Sequence, residues 1–81
     1  MENTEIFKEI KIIFSRLIDD KLELMPTTTS REVKKWDSLN HVMFVTEIEK
    51  KFGIRFDLFE MLEMRTISDL CKGVEKHLNE K

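Results

Sequence analysis

Trp36, Asp37, Ser38 and His41 lie close together in the chain, and serine, histidine and a carboxylate are the groups from which a nucleophilic site is built. A serine hydroxyl attacks only when a base takes its proton and donors receive the oxyanion. His41 follows Ser38 by three positions, so on a helix the two side chains approach each other. That permits a Ser–His dyad on paper. No third orienting group, glycine-rich oxyanion loop or deep pocket accompanies the pair. The same residues also read as an ordinary helix start. Asp37 caps, Ser38 is a polar first-turn residue, and Trp36 packs ahead of the helix like a staple.

The remaining reactive side chains are more scattered. Cys71 falls on an apolar helical stripe and is expected as a core thiol. His77 is six positions further on, about 240° around a helix from Cys71, so the two do not converge on a metal. Asp19 and Asp20 are expected to form a solvated turn rather than a pair of catalytic acids.

The elements that position these residues are helical. Ile6, Ile10, Ile13, Phe14 and Leu17 recur at helical spacing, which predicts an amphipathic helix from Thr4 to Asp19. Leu22 to Lys35 has no sustained period, and its Met25-Pro26-Thr27-Thr28-Thr29-Ser30 stretch reads as a loop. Leu22, Leu24 and Val33 are its candidate anchors. Asp37-Ser38 opens a second helix, with Val42, Val45, Ile48 and Phe52 as the inward stripe and Phe44 beside it. Gly53 stands where helices stop with a left-handed residue. Ile54, Phe56 and Leu58 alternate, yet no other segment offers a strand partner, so an extended linker burying Ile54 and Phe56 is expected. Asp57 caps a short helical turn through Leu62. Thr66 and Asp69 resemble a capping box opening a last helix, with Ile67, Leu70, Cys71, Val74 and Leu78 on its stripe, to Asn79. The expected architecture is all-α: three main helices, one short helix and a long first loop. Phe14, Phe44, Ile48, Phe52, Leu70 and Val74 are expected in its core.

Composition narrows the function classes. The 81 residues, 41% hydrophobic and 37% charged with a net charge of -2, suit one small domain. The balanced charge argues against a nucleic-acid binder relying on bulk positive charge and against an acidic disordered tail. No apolar run approaches the roughly 20 residues of a bilayer-spanning helix. The acidic, periodic start predicts no signal peptide. A single cysteine allows no internal disulfide and fits a reducing compartment, so a cytoplasmic protein is expected. A core this small leaves little for a catalytic pocket, which favours a protein that is acted on or bound.

The order of these features resembles the acyl carrier protein family. A helix, a long loop, Asp37-Ser38-Leu39 opening a second helix, Phe52-Gly53 followed by Ile54 and Phe56, a short third helix, and Thr66-Ile67-Ser68-Asp69-Leu70 opening a fourth follow the family's plan from about Ile6 to Leu78. The resemblance implies a single four-helix acyl-carrier domain over residues 1–81, without catalysis of its own. It implies that Ser38 receives 4′-phosphopantetheine from coenzyme A, making the chain a phosphoprotein whose arm holds acyl groups as thioesters. It assigns Asp37 to contacts with the loading phosphopantetheinyl transferase and its metal, Leu39 to partner contact, and His41 to the arm's surroundings. Further partners would be acyl-activating, synthase and acyltransferase enzymes, met by a monomer. An aminoacyl or peptidyl carrier, or a helical interaction module without an arm, are the alternatives.

The chain departs from the family in charge. Fatty-acid carriers are strongly acidic along the second helix, whereas Glu47 and Glu49 here are balanced by Lys50 and Lys51. Arg31, Lys34 and Lys35 precede the motif against Glu32 alone. Met43 stands where fatty-acid carriers often place an acid. The expected docking surface is therefore mainly apolar, through Leu39 and Met43, with Thr46, Glu47 and Lys50 beside them. A specialised assembly system for lipids, polyketides, peptides or surface glycans is the expected setting.

Overall fold

The computed structural model describes residues 3–80. Four helices form in chain order: α1 (Asn3–Leu17), α2 (Ser38–Phe52), α3 (Leu58–Glu63) and α4 (Ile67–Asn79). No strand occurs among the described residues; one isolated bridge joins Thr29 to Thr66. No helix among them is long and apolar enough to cross a membrane. α1 packs against both α2 and α4, because its Ile6, Ile10, Ile13 and Phe14 stripe is wholly or almost wholly buried. α1 ends two residues before the expected Asp19. The amides of Ile18 and Asp19 both turn back to the Phe14 carbonyl, at 2.8 and 3.2 Å, four and five residues earlier, so the last turn widens as the helix ends.

Each later helix begins and ends on local chemistry. Asp37 is extended and accepts from the Asn40 amide at 2.9 Å, capping α2. Gly53 ends α2 at φ 65°, ψ 39°, a conformation that a Cβ disfavours. Asp57 with Glu60, and Thr66 with Asp69, form complete capping boxes. Ile54 and Phe56 are buried in the extended linker, and the Phe56 amide donates to the Glu49 carboxylate at 2.7 Å.

The first loop is tied down by backbone as well as by side chains. The Ile67 amide donates to the Thr28 carbonyl at 3.1 Å and the Ser68 amide to the Pro26 carbonyl at 2.8 Å. The loop thus satisfies two of the N-terminal donors that α4 leaves open. Leu24, Val33 and Thr28 are buried beneath it. Leu22, expected as a third anchor, is instead exposed.

Two core expectations are corrected. Val42 is 47% exposed rather than inward. The buried face of α2 is Phe44, Val45 and Ile48, and Val42 sits about 60° around the helix from Val45. It faces a groove that the short α3 does not fill. Phe52 is only partly buried, packed against the edge of the core at the last position of α2. Phe14, Phe44, Ile48, Leu70 and Val74 are fully buried.

Candidate functional site

Ser38 is the first residue of α2 and is exposed. It owes that position to its neighbours on both sides. Ahead of it, Trp36 is 3% exposed and meets Phe14 and Phe44 edge to face, at 5.6 and 5.7 Å between ring centroids. Three rings so arranged anchor the loop end in the core. The Asn40 side chain also donates to the Lys35 carbonyl at 2.6 Å, closing the loop onto α2. Between these ties, Asp37 caps and Ser38 projects.

His41 is not a base for Ser38. The Trp36 indole N–H donates to its Nδ1 at 3.0 Å, and indole nitrogen can only donate. The ring proton therefore sits on Nε2, which donates to the Met61 carbonyl at 3.0 Å. Both ring nitrogens are engaged, and the dyad permitted by spacing is not formed. Instead His41 links the segment before α2 to α3. It lines, with Ser38, a groove of about 430 Å³ between α2 and α3. Val42, Leu58, Met61 and Leu62 give the groove apolar walls, and Arg65 stands on its lining.

The other expected site residues lie on the open side of α2. Leu39 is 70% exposed and Met43 is exposed one turn on. The Thr46 hydroxyl donates to the Val42 carbonyl at 2.7 Å. Glu47 and Lys50 form a surface pair at 3.7 Å, roughly 13–18 Å along the helix from Ser38 at 1.5 Å per residue.

Cys71 and His77 behave differently from each other. Cys71 is buried in α4, and burial, with the nearby Glu75, pushes its thiol up to about 11. It is an inert core thiol, as expected. His77 bonds the Glu60 carboxylate at 2.8 Å and meets Phe56 edge to face at 5.0 Å. That tie holds α3 to α4. Nothing in the sequence reading pointed to it, because the partners are seventeen residues apart and no spacing rule joins them. The exposed apolar side chains of α3 were also missed. Their signal was a six-residue, mostly apolar helix, too short to bury more than one face.

The surroundings of Ser38 fit a phosphate-linked arm. The amides of Ser38 and Leu39 have no hydrogen-bond partner among the described residues, and the start of a helix carries positive potential. A phosphodiester on the Ser38 hydroxyl would meet those amides, and the apolar groove begins beside it.

A family profile described as "Phosphopantetheine attachment site" matches residues 8–74. No curated protein matches the chain. Among solved structures, the crystal structure of a Toxoplasma-specific mitochondrial acyl carrier protein is similar, with a TM-score of 0.81 and 17% identity, over 94% of this chain and 90% of that one. At that identity the likeness is one of fold, and the fold is the four-helix acyl-carrier bundle. On the profile match, which spans most of the sequence from the middle of α1 into α4, the chain belongs to the phosphopantetheine-attachment family, whose domains bind 4′-phosphopantetheine as their prosthetic group.

Proposed function

We propose that this protein is an acyl carrier in which Ser38 bears 4′-phosphopantetheine and the chain itself performs no catalysis. The observation that carries this is the exposed Ser38 at the start of α2, beside open backbone amides and the mouth of an apolar groove. The arm supplies a terminal thiol that holds an acyl group as a thioester. The chain's own residues present and orient. Asp37 holds the first turn so that the hydroxyl points outward, and the helix start favours the attached phosphate. With His41 committed to Trp36 and Met61, activation of the Ser38 hydroxyl falls to the phosphopantetheinyl transferase that loads the arm, with Asp37 its contact.

The near-neutral α2 supports a setting in specialised biosynthesis, of lipids, polyketides, peptides or surface glycans, rather than in general fatty-acid synthesis. Partner enzymes that activate, extend or transfer the acyl group would meet a monomeric carrier, in the cytoplasm, through Leu39 and Met43, with Thr46, Glu47 and Lys50 at the margin.

The test is loading. Incubation with coenzyme A and a promiscuous phosphopantetheinyl transferase should add about 340 Da, the mass of the group carriers' phosphopantetheine unit. The gain should vanish in Ser38→Ala. No gain with an active transferase would leave a helical interaction module whose Asp37-Ser38 is only a cap.

A further inference from the structure

α3 is weakly held by packing. None of its residues is buried, and Met61 alone packs, partly buried, against the core. Two histidines from other helices tie it down. On the α2 side His41 Nε2 donates to the Met61 carbonyl at 3.0 Å. On the α4 side His77 bonds the Glu60 carboxylate at 2.8 Å.

The two ties respond to a proton in opposite ways. A protonated His77 still donates to Glu60, and the contact becomes a charge-assisted one. His41 has no such option. Its Nδ1 is the acceptor for the Trp36 indole N–H at 3.0 Å, and a protonated imidazole has donors at both nitrogens. Two N–H groups would then face each other. Trp36 is almost wholly buried, and a buried donor left unpaired is destabilising. No cation–π contact offsets that loss. The ring centroids lie 5.9 Å apart with planes 32° from parallel, so the imidazole sits at the N–H edge of the indole rather than over its face.

His41 is half-buried and lines the groove beside Ser38, so a solvent proton reaches it. The charged groups on the surrounding elements are Lys35 in the loop, Asp37 before α2, Glu60 and Glu63 on α3, and Arg65 after it. Asp37 and Arg65 share the groove lining with the ring, one of each sign. α1 meets Trp36 with the uncharged Phe14, and α4 contributes His77 beyond Glu60.

We propose that His41 is a proton-operated latch on α3. Proton uptake at Nδ1 breaks the Trp36 bond and turns the ring, which gives up the Met61 carbonyl as well. The α2 edge of α3 is released and the groove beside Ser38 opens, while His77 keeps α3 on α4. The tie needs a neutral imidazole, so it is present at higher pH and lost as pH falls. That an arm or its cargo gains room when the groove opens rests on the carrier reading; the latch itself does not.

The experiment titrates the full, unloaded, isotope-labelled chain from about pH 8 to about pH 5, the range over which histidines change charge. Trp36 is the only tryptophan, so its indole N–H signal is unambiguous. That signal should move upfield as the bond is lost, in step with the His41 ring signals and the amides of Val42, Leu58 and Leu62. The Met61 and Met64 amides bond to the Asp57 and Glu60 carbonyls. Their protection from hydrogen exchange, corrected for intrinsic rates, should fall about tenfold, as loss of one buried hydrogen bond gives. His41→Gln, which stays neutral, should remove both responses, and His77→Gln should leave the indole response intact. The proposal is overturned by an indole signal that does not move, moves apart from the His41 ring, keeps moving in His41→Gln or stops moving in His77→Gln. Unchanged α3 protection would overturn it too. If His41→Gln misfolds, the wild-type ring signals and His77→Gln still decide. Loading of Ser38 is measured separately on the same protein. Failed loading with the latch intact would overturn the carrier reading alone.

Discussion

The Trp36 indole donates to His41 Nδ1 at 3.0 Å, across five positions of sequence, and this bond decides the role of both residues. It fixes the histidine's proton on Nε2 and aims that proton at the Met61 carbonyl. One imidazole thereby joins the end of the first loop, α2 and α3, next to the serine that it does not activate.

His41→Ala should therefore lower stability without stopping the loading of Ser38. Loss of two part-buried hydrogen bonds predicts about 1–3 kcal/mol, read by urea unfolding. Mass spectrometry should show full transfer from coenzyme A in the variant. An intact fold that no longer loads would place the histidine in the chemistry.

The cap and the proposed attachment residue separate in the same assays. Ser38→Ala should leave stability within about 1 kcal/mol, because the hydroxyl is exposed, whereas Asp37→Ala should cost about 0.5–2 kcal/mol through the lost Asn40 bond. If Ser38→Ala unfolds the protein, the hydroxyl has a structural partner.

Two phenylalanines of α2 should differ. Phe44 is fully buried between Phe14 and Trp36, so Phe44→Ala should cost about 3–5 kcal/mol. Phe52 is partly buried, so Phe52→Ala should cost about half as much. Equal losses in denaturant titrations would contradict the half-exposed placement.

Glu60 adds an acid-sensitive contribution. Its carboxyl is held below the usual range chiefly by the His77 hydrogen bond, with help from the Asp57 amide and against the effect of burial. A carboxylate lowered on folding stabilises above its unfolded pKa, about 4.3. That stability is lost as pH falls through the folded value. Glu60→Gln should thus be slightly less stable than wild type at pH 7, by under about 1 kcal/mol. The gap should begin to narrow as pH falls below about 4.3 and close once pH is below the lowered folded value. A gap independent of pH would show that the carboxylate's charge is not what matters.

Met43→Glu tests the proposed apolar docking surface with a cognate enzyme. Partner affinity should fall about tenfold or more, as for loss of a buried contact at an interface centre, and wild-type binding should change little between low and moderate salt. Steep salt dependence, with no effect of the substitution, would point to charge as the main source of affinity.

Local chemistry was legible in the sequence. Asp37, Gly53, the Asp57 turn and the Thr66–Asp69 box each act within four residues, so residue type and spacing were enough to mark the helices they bound. The stripes of α1 and α4 were equally plain, because each helix has an apolar face that can only turn inward. Periodicity could not decide which neighbour covers each part of α2. It cannot decide between Val42, facing a groove, and Phe44, set between Trp36 and Phe14, since the two flank Val45 on opposite sides, about 60° and 100° around the helix. The partners of His41 and His77 and the bare face of α3 were likewise settled only by tertiary packing. Those bonds join segments seventeen to twenty residues apart. What α3 buries depends on where the six-residue helix comes to rest. The chain thus marks its serine by local rules, while the shape of the surface around that serine is decided by how four helices of unequal length meet.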